Sequence, residues 1–281
     1  MAALAALIKN NNFIKLYSYM GTKIRMLNEI NELLPDDSFT YNYIEPFLGS
    51  GVVFLNLEKQ FKKYFLNDII PSLILFFKNY DKLNKELIDE LINYEITTFN
   101  IEKNKEGYYK FRDNIYNIEK DNLRKTIYFF MIANCCINNM CRFNKNTFYF
   151  NQSFGNRKYS HRIKDIYRAI EYCKGKNIIA TSKCFKNILN NVDINDNNFL
   201  FIDPPYFGTR YTTEFTDTDI SFLINWLKIN NKKIKFIYID FENKYNQKLK
   251  NICSYKYIEK IRNVSPNRKN EIIYKEIFYY N

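Results

Sequence analysis

Histidine occurs once in these 281 residues and cysteine six times. A structural zinc site needs four ligands in paired short spacings, so Cys135, Cys136 and Cys141, with only His161 to complete them, do not read as a metal centre. The six cysteines, at 135, 136, 141, 173, 184 and 253, are also too sparse for the disulfide framework of a small secreted protein. Reduced, buried thiols are the expectation. No stretch approaches the roughly 18 uncharged apolar residues of a membrane-spanning helix. The apolar run over residues 2–8 has no basic residue before it and no small-residue cleavage pattern after it. A soluble, cytoplasmic chain follows, with no internal repeat or low-complexity linker.

Acids are also short. Thirty Asp and Glu face 42 Lys and Arg, a net charge of +12 that favours a polyanionic partner. A composition rich in Lys, Asn and Ile raises charge by itself, so its location must decide whether it has a role. With 46% apolar residues, the length suits one large α/β domain or a catalytic domain carrying a smaller insert.

Ile24, Leu27, Ile30 and Leu34 recur at helical spacing and stop at Pro35. The period then changes: residues 41–47 read as a strand, Leu48-Gly49-Ser50-Gly51 as a turn and 52–57 as a helix. A second strand over 64–66 ends in Asn67-Asp68, and Pro71 opens another helix. Residues 81–135 are helical in pattern. Short apolar runs at 177–181, 199–202 and 236–239 then return as parallel strands of a doubly wound sheet. Residues 255–261 and 271–279 form a terminal antiparallel hairpin across Ser265-Pro266-Asn267-Arg268.

Two strand ends carry chemistry. Glu45-Pro46-Phe47-Leu48-Gly49-Ser50-Gly51 lies where open α/β sheets bind ligands, and its glycines allow close backbone approach. The third glycine of a dinucleotide fingerprint is missing and no P-loop Lys follows, which favours a nucleoside without phosphates. Asp68, 19 residues after Gly49, is placed to accept ribose hydroxyls. Read structurally, the same residues are a tight turn and a capping acid. The second end, Asp203-Pro204-Pro205-Tyr206, follows a buried strand. Two prolines stop the strand and leave stiff, free carbonyls. Asp203 and the Pro204 carbonyl can accept the two hydrogens of an exocyclic amine while Tyr206 stacks on a heterocycle. An amino-purine fits.

In order and spacing, Tyr19-Met20-Gly21-Thr22-Lys23, Glu45 to Gly51 and Asp203 to Tyr206 resemble the Dam-like (D12 class) DNA adenine-N6 methyltransferases in their alpha arrangement. Those enzymes start with aromatic-x-Gly-Gly-Lys and carry Glu-Pro-Phe-x-Gly-x-Gly and Asp-Pro-Pro-Tyr. Asn138-Asn139-Met140-Cys141-Arg142-Phe143-Asn144 and residues 150–155 resemble the family's target-recognition segments, so the likeness spans nearly the whole chain.

The resemblance implies a Rossmann-like methyltransferase sheet built from residues 1–95 and 172–281, with a mainly helical DNA-recognition insert over 96–171. It implies S-adenosylmethionine as cofactor, bound by Tyr19, Gly21, Lys23, Glu45, Pro46, Phe47, Gly49, Ser50, Gly51 and Asp68 and bordered by Asp203. It implies catalysis by Asp203, Pro204, Pro205 and Tyr206 on a flipped adenine in double-stranded DNA, with the protein a monomer or weak dimer there. Contact with DNA falls to Asn138, Met140, Arg142, Asn144, Lys145, Arg157 and Lys158. Arg142 matches an arginine that reads a guanine of GATC, a pairing that suits a guanidinium against O6 and N7.

Half of the net charge lies in residues 140–168, where seven basic residues face one acid among interleaved aromatics such as Phe143, Phe148, Tyr149, Phe150, Phe154 and Tyr159. That mixture suits phosphate contacts beside base contacts or wedges. His161 reads as a phosphate neighbour or surface residue, and Cys141 lacks the preceding proline of a C5-cytosine nucleophile. Several residues depart from the family pattern: Thr22 and Asn139 replace glycines, Ser153 replaces a proline, Ile137 stands where an aromatic is common, and Ile239-Asp240-Phe241-Glu242 stands for Ile-Ser-Asn. The target is therefore GATC or a related site. A single-strand or RNA adenine methyltransferase and a catalytically silent DNA-binding protein of this fold are the alternatives.

Overall fold

The computed structural model describes residues 13–139, 141–194, 197–206, 215–263 and 271–281. Their centre is a seven-stranded sheet: β1 (Asn42–Glu45), β2 (Lys63–Asn67), β3 (Ile178–Thr181), β4 (Asn198–Ile202), β5 (Lys235–Phe241), β6 (Ser254–Asn263) and β7 (Glu271–Tyr280). The spatial order is β3-β2-β1-β4-β5-β7-β6. The first five strands run parallel, and β7 is antiparallel to both β5 and β6. The expected doubly wound sheet with a terminal hairpin is present; the hairpin's turn and residues 2–8 lie outside the described residues.

The strands read as continuous apolar runs because both faces are covered. Phe199 and Phe201, Ile237 and Ile239, and Phe278 face one core. Leu200 and Ile202, Phe236 and Tyr238, and Ile277 and Tyr279 face the other. The period of two thus survives as a choice between two interiors. The first core is closed by helices α1 (Leu27–Glu32), α2 (Pro71–Asn79), α3 (Lys85–Thr98), α4 (Lys105–Phe111), α5 (Asn122–Cys135) and α6 (Ile163–Cys173). The second is closed by α7 (Phe185–Asn190) and α8 (Asp217–Asn230). Short polar residues start the helices: Asn84, Asn104 and Asp121 accept backbone N–H groups of α3, α4 and α5, and Thr216 with Asp219 forms a capping box on α8. None of the described helices is long and apolar enough to cross a membrane.

Residues 52–57 are not the expected helix: a turn leads into a single 3₁₀ turn at Phe54–Asn56. Val52, Val53, Phe54, Leu55 and Leu57 are all buried, so no face is left for solvent. Asn56 locks the turn by exchanging hydrogen bonds with Ile14, at 2.8 and 2.9 Å, and donating to the Val52 carbonyl at 2.7 Å. The first predicted helix likewise divides into a 3₁₀ turn, Ile24–Met26, and α1. Helix α3 runs through residue 95 unbroken, and the core against α2 continues into Ile101, Tyr108, Phe111 and the apolar face of α5.

Candidate active site

The chain leaves β1 towards β2 and β3 on one side and returns at β4 on the other, so the strand order reverses between β1 and β4. At such a switch point the two strand ends splay and leave a crevice at their carboxyl ends. The register pairs Ile44 with Leu200. Three residues further along, Phe47 and Asp203 come level, and the glycine turn and the Asp-Pro-Pro end form opposite walls of one cleft.

One wall is the loop after β1. Leu48 N–H donates to the Asn67 carbonyl at 2.8 Å and Gly49 N–H to Asp68 Oδ2 at 2.9 Å. Asp68 Oδ1 accepts from Ile70 N–H at 3.0 Å, and burial pushes this carboxyl up to about 6 against the pull of its backbone donors. Asn67 ties three strand ends together, donating to the carbonyls of Pro46 and Lys183 at 3.0 and 2.9 Å and accepting from the Thr181 hydroxyl and from Lys183 N–H. Glu45 is buried behind Pro46, accepts from Tyr43 Oη at 2.8 Å, and is held well above the carboxylate range by burial.

On the facing wall, Lys23 is only 2% exposed and forms an ion pair with Asp203 Oδ2 at 2.7 Å. It also donates to the Gly21 carbonyl at 2.8 Å, and its ammonium lies 4.9 Å from the centre of the Tyr206 ring. Tyr206 is buried with its ring centre 4.6 Å from that of Phe241. The far end of the cleft is aromatic: Phe47, Phe185 and Phe215 form a triangle with centroids 5.0, 5.9 and 5.5 Å apart. Packed on one another, the three rings form one apolar wall of the cleft, a surface that suits a flat heterocycle.

Tyr19, Gly21, Lys23, Glu45, Pro46, Phe47, Gly49, Ser50, Asp68, Asp203, Pro204 and Pro205 therefore line one cleft. Gly51 and Tyr206 stand just behind its wall, Gly51 against Phe77 and Tyr206 against Phe241. Lys183, Phe185, Phe215 and Asp219 also line the cleft and were not anticipated. No spacing marks them, although a strand end at β3 beside β2 is where the sheet rule points.

Residues 141–158 fold as irregular chain, and bridges join Phe143 to Phe150 and Cys136 to Phe154. Asn138, Arg142, Asn144, Lys145, Arg157 and Lys158 are all exposed, whereas Met140 lies outside the described residues. Asn144 also caps the hairpin tip, accepting from Asn146 and Thr147 N–H at 2.9 and 3.1 Å. Two of the basic residues are committed internally: Arg162 and Arg168 pair with buried Asp165 at 3.3 and 3.1 Å. The count of charges free for phosphate is smaller than composition suggests. His161 is exposed, and Cys135, Cys136, Cys141 and Cys173 are buried free thiols. Among the described residues no cluster of three His, Cys, Asp or Glu can hold a metal ion.

Residues 19–261 match the model of the D12 class N6 adenine-specific DNA methyltransferases. The chain is 33% identical over 216 residues to the type II methyltransferase M.MjaIII of Methanocaldococcus jannaschii, covering 70% of this chain and 71% of that one. It is 26% identical over 285 residues to the DNA adenine methylase of Haemophilus influenzae, covering 96% and 93% respectively. It is 30% identical over 210 residues to the DNA adenine methylase of Escherichia coli, covering 74% and 69%.

Proposed function

The chain belongs to the D12 class N6 adenine-specific DNA methyltransferases, and from this we propose that its cleft binds S-adenosylmethionine beside an adenine turned out of duplex DNA. When bound, S-adenosylmethionine supplies a methyl group on a sulfonium sulfur. The meeting of the glycine turn and Asp203 across one cleft carries the reading.

The residues present suit that ligand. The adenine of the donor lies against the wall of Phe47, Phe185 and Phe215, and Asp68, already oriented by two backbone N–H groups, accepts the ribose hydroxyls. The lone pair of the target N6 is delocalised into its ring and is a poor nucleophile. Asp203 and the Pro204 carbonyl accept its two hydrogens, which favours a pyramidal nitrogen and so acts on the transition state. Tyr206 holds the base, and the proton that N6 sheds passes to solvent. In the structure the Lys23 ammonium holds Asp203 Oδ2 and lies near the Tyr206 ring, so on base entry the adenine amino group joins or replaces it as donor to Asp203. Residues 96–171 serve as the recognition insert, with Arg142 on a guanine and Lys145, Arg157 and Lys158 on phosphates, at GATC or a related site.

Purified protein, labelled methyl donor and matched duplex DNA, single-stranded DNA and RNA provide the test, with nucleosides analysed by mass spectrometry. N6-methyladenine formed fastest in duplex DNA is the expected result; preference for RNA, or donor binding without transfer to any of the three, rejects the reading.

Asp68 adds a pH dependence. Its folded-state value near 6 lies above the ordinary 3.8, so any stability it lends is present at low pH and declines as pH rises from 3.8 through about 6. Donor binding goes the other way, since the ionised form is the better acceptor for two hydroxyls. Calorimetry is expected to show affinity rising through about pH 6, and Asp68→Asn to flatten that rise.

A further inference from the structure

Where the family pattern has Ile-Ser-Asn, this chain has Ile239-Asp240-Phe241, and Asp240 is buried at the carboxyl end of β5. The β4–β5 register pairs Ile202 with Tyr238, which brings Asp240 level with Pro204. A second acid beside Asp203 is costly: burial and the nearby Asp203 carboxylate push Asp240 up to about 7. Its hydrogen bonds show what offsets the cost. Oδ1 accepts from Phe241 N–H at 2.7 Å, and Oδ2 accepts from Tyr238 Oη at 2.8 Å and Asn243 Nδ2 at 3.1 Å.

Those donors converge on Phe241. Its carbonyl accepts from Asn243 Nδ2 at 3.0 Å and from Asn246 Nδ2 at 2.8 Å, so side chains hold both of its backbone polar groups. The amide of Asn243 cannot turn over, because its Oδ1 already accepts from Tyr245 and Asn246 N–H at 3.0 and 3.1 Å. Asn246 is fixed in turn, accepting from Asn243 N–H at 2.9 Å and from Tyr279 Oη at 3.4 Å. The product of this network is one placed ring: Phe241 meets Tyr206 at 4.6 Å and 68°. Lys23 approaches that same tyrosine.

We infer that Asp240 is a positioning residue, fixing the Phe241 ring as the wall that sets Tyr206 for the target base. The inference rests on the adenine methyltransferase reading and assigns a role to a segment in which this chain differs from its family. A tyrosine free to shift by about an ångström holds the base outside attack geometry, at a cost of up to about 100-fold in rate.

Phe241→Ala decides the matter, because it removes the ring, leaves every hydrogen bond of the network in place and sits at a half-buried position that tolerates truncation. The probes are S-adenosylmethionine, a duplex substrate and the same duplex with 2-aminopurine at the target base. Phe241→Ala is expected to lose at least about tenfold in kcat and to raise KM for DNA, with weaker 2-aminopurine fluorescence and unchanged donor affinity. Asp240→Ala is expected to lose as much. Asp240→Asn, which keeps an acceptor for Phe241 N–H but sets an NH2 group against that of Asn243, should fall between. Wild-type kcat, KM and fluorescence in folded Phe241→Ala would overturn the role of the wall while leaving the enzyme assignment standing. A wild-type protein that methylates no adenine overturns both.

Discussion

Asp203→Ala is expected to keep the fold and donor binding and to lose methyl transfer by about 10²–10³-fold, the usual cost of deleting one preorganised group aimed at a transition state. Asp203 follows the last residue of β4, across the switch point from the glycine turn, and the two prolines after it prevent its backbone from being drawn into the sheet. Its partner Lys23 is nearly inaccessible to water. Removing one member of a buried ion pair costs about 3–5 kcal/mol, because the survivor is left charged and unsolvated. A loss of activity in Asp203→Ala alone would therefore mix chemistry with stability. Asp203→Asn keeps the shape and one acceptor, and Asp203→Ala combined with Lys23→Met removes both charges. The double variant is expected to melt close to the wild-type temperature, Asp203→Asn between it and Asp203→Ala because Lys23 keeps an acceptor but loses its counter-charge, and both to remain impaired in single-turnover transfer. Near-normal transfer in any folded member of this set removes Asp203 from the mechanism.

Much of this cleft is legible from residue order. Parallel strands must present their carboxyl ends to the same edge of the sheet, so a glycine turn after one and an acid with two prolines after another point to one place. Residue types at the strand ends are therefore enough to locate the two walls. The aromatic wall is not legible in this way. Phe185 and Phe215 belong to segments whose approach to Phe47 depends on how α7 and α8 pack on the second face of the sheet, and no local spacing encodes it. Asn67 is visible in the sequence only as a strand end; its link between three loops is a property of the sheet. Net charge misleads for a related reason, since composition does not distinguish Arg157, which is exposed, from Arg168, which pairs with Asp165. Apolar residues without a polar stripe at 52–57 signal burial, and burial on all sides favours a compact turn over a helix.

Two glycines separate backbone strain from crowding. Gly51 and Gly175 have nearly the same left-handed backbone, φ +69° and +72°. A Cβ at Gly175, just past the end of α6, meets nothing within 4 Å, whereas one at Gly51 falls 2.3 Å from Phe77 Cζ. Phe77 cannot step aside, being buried with its ring packed against Phe54 and Phe76 at 5.7 and 5.3 Å. Gly175→Ala is expected to cost only the left-handed penalty, about 1–2 kcal/mol. Gly51→Ala adds overpacking, for a total of about 2–5 kcal/mol. At this chain length that lowers Tm by about 5–15 °C, and donor binding should fail with it because the turn also carries Gly49 and Ser50. Thermal melts of the wild type, Gly51→Ala, Phe77→Leu and the double variant close the cycle, with Gly175→Ala as the reference for the backbone penalty alone. If crowding is the cause, Gly51→Ala costs less in the Phe77→Leu background than in the wild type. If Gly51→Ala costs as much in both backgrounds, the backbone angle alone is responsible, and the glycine turn depends on its conformation rather than on its contact with α2.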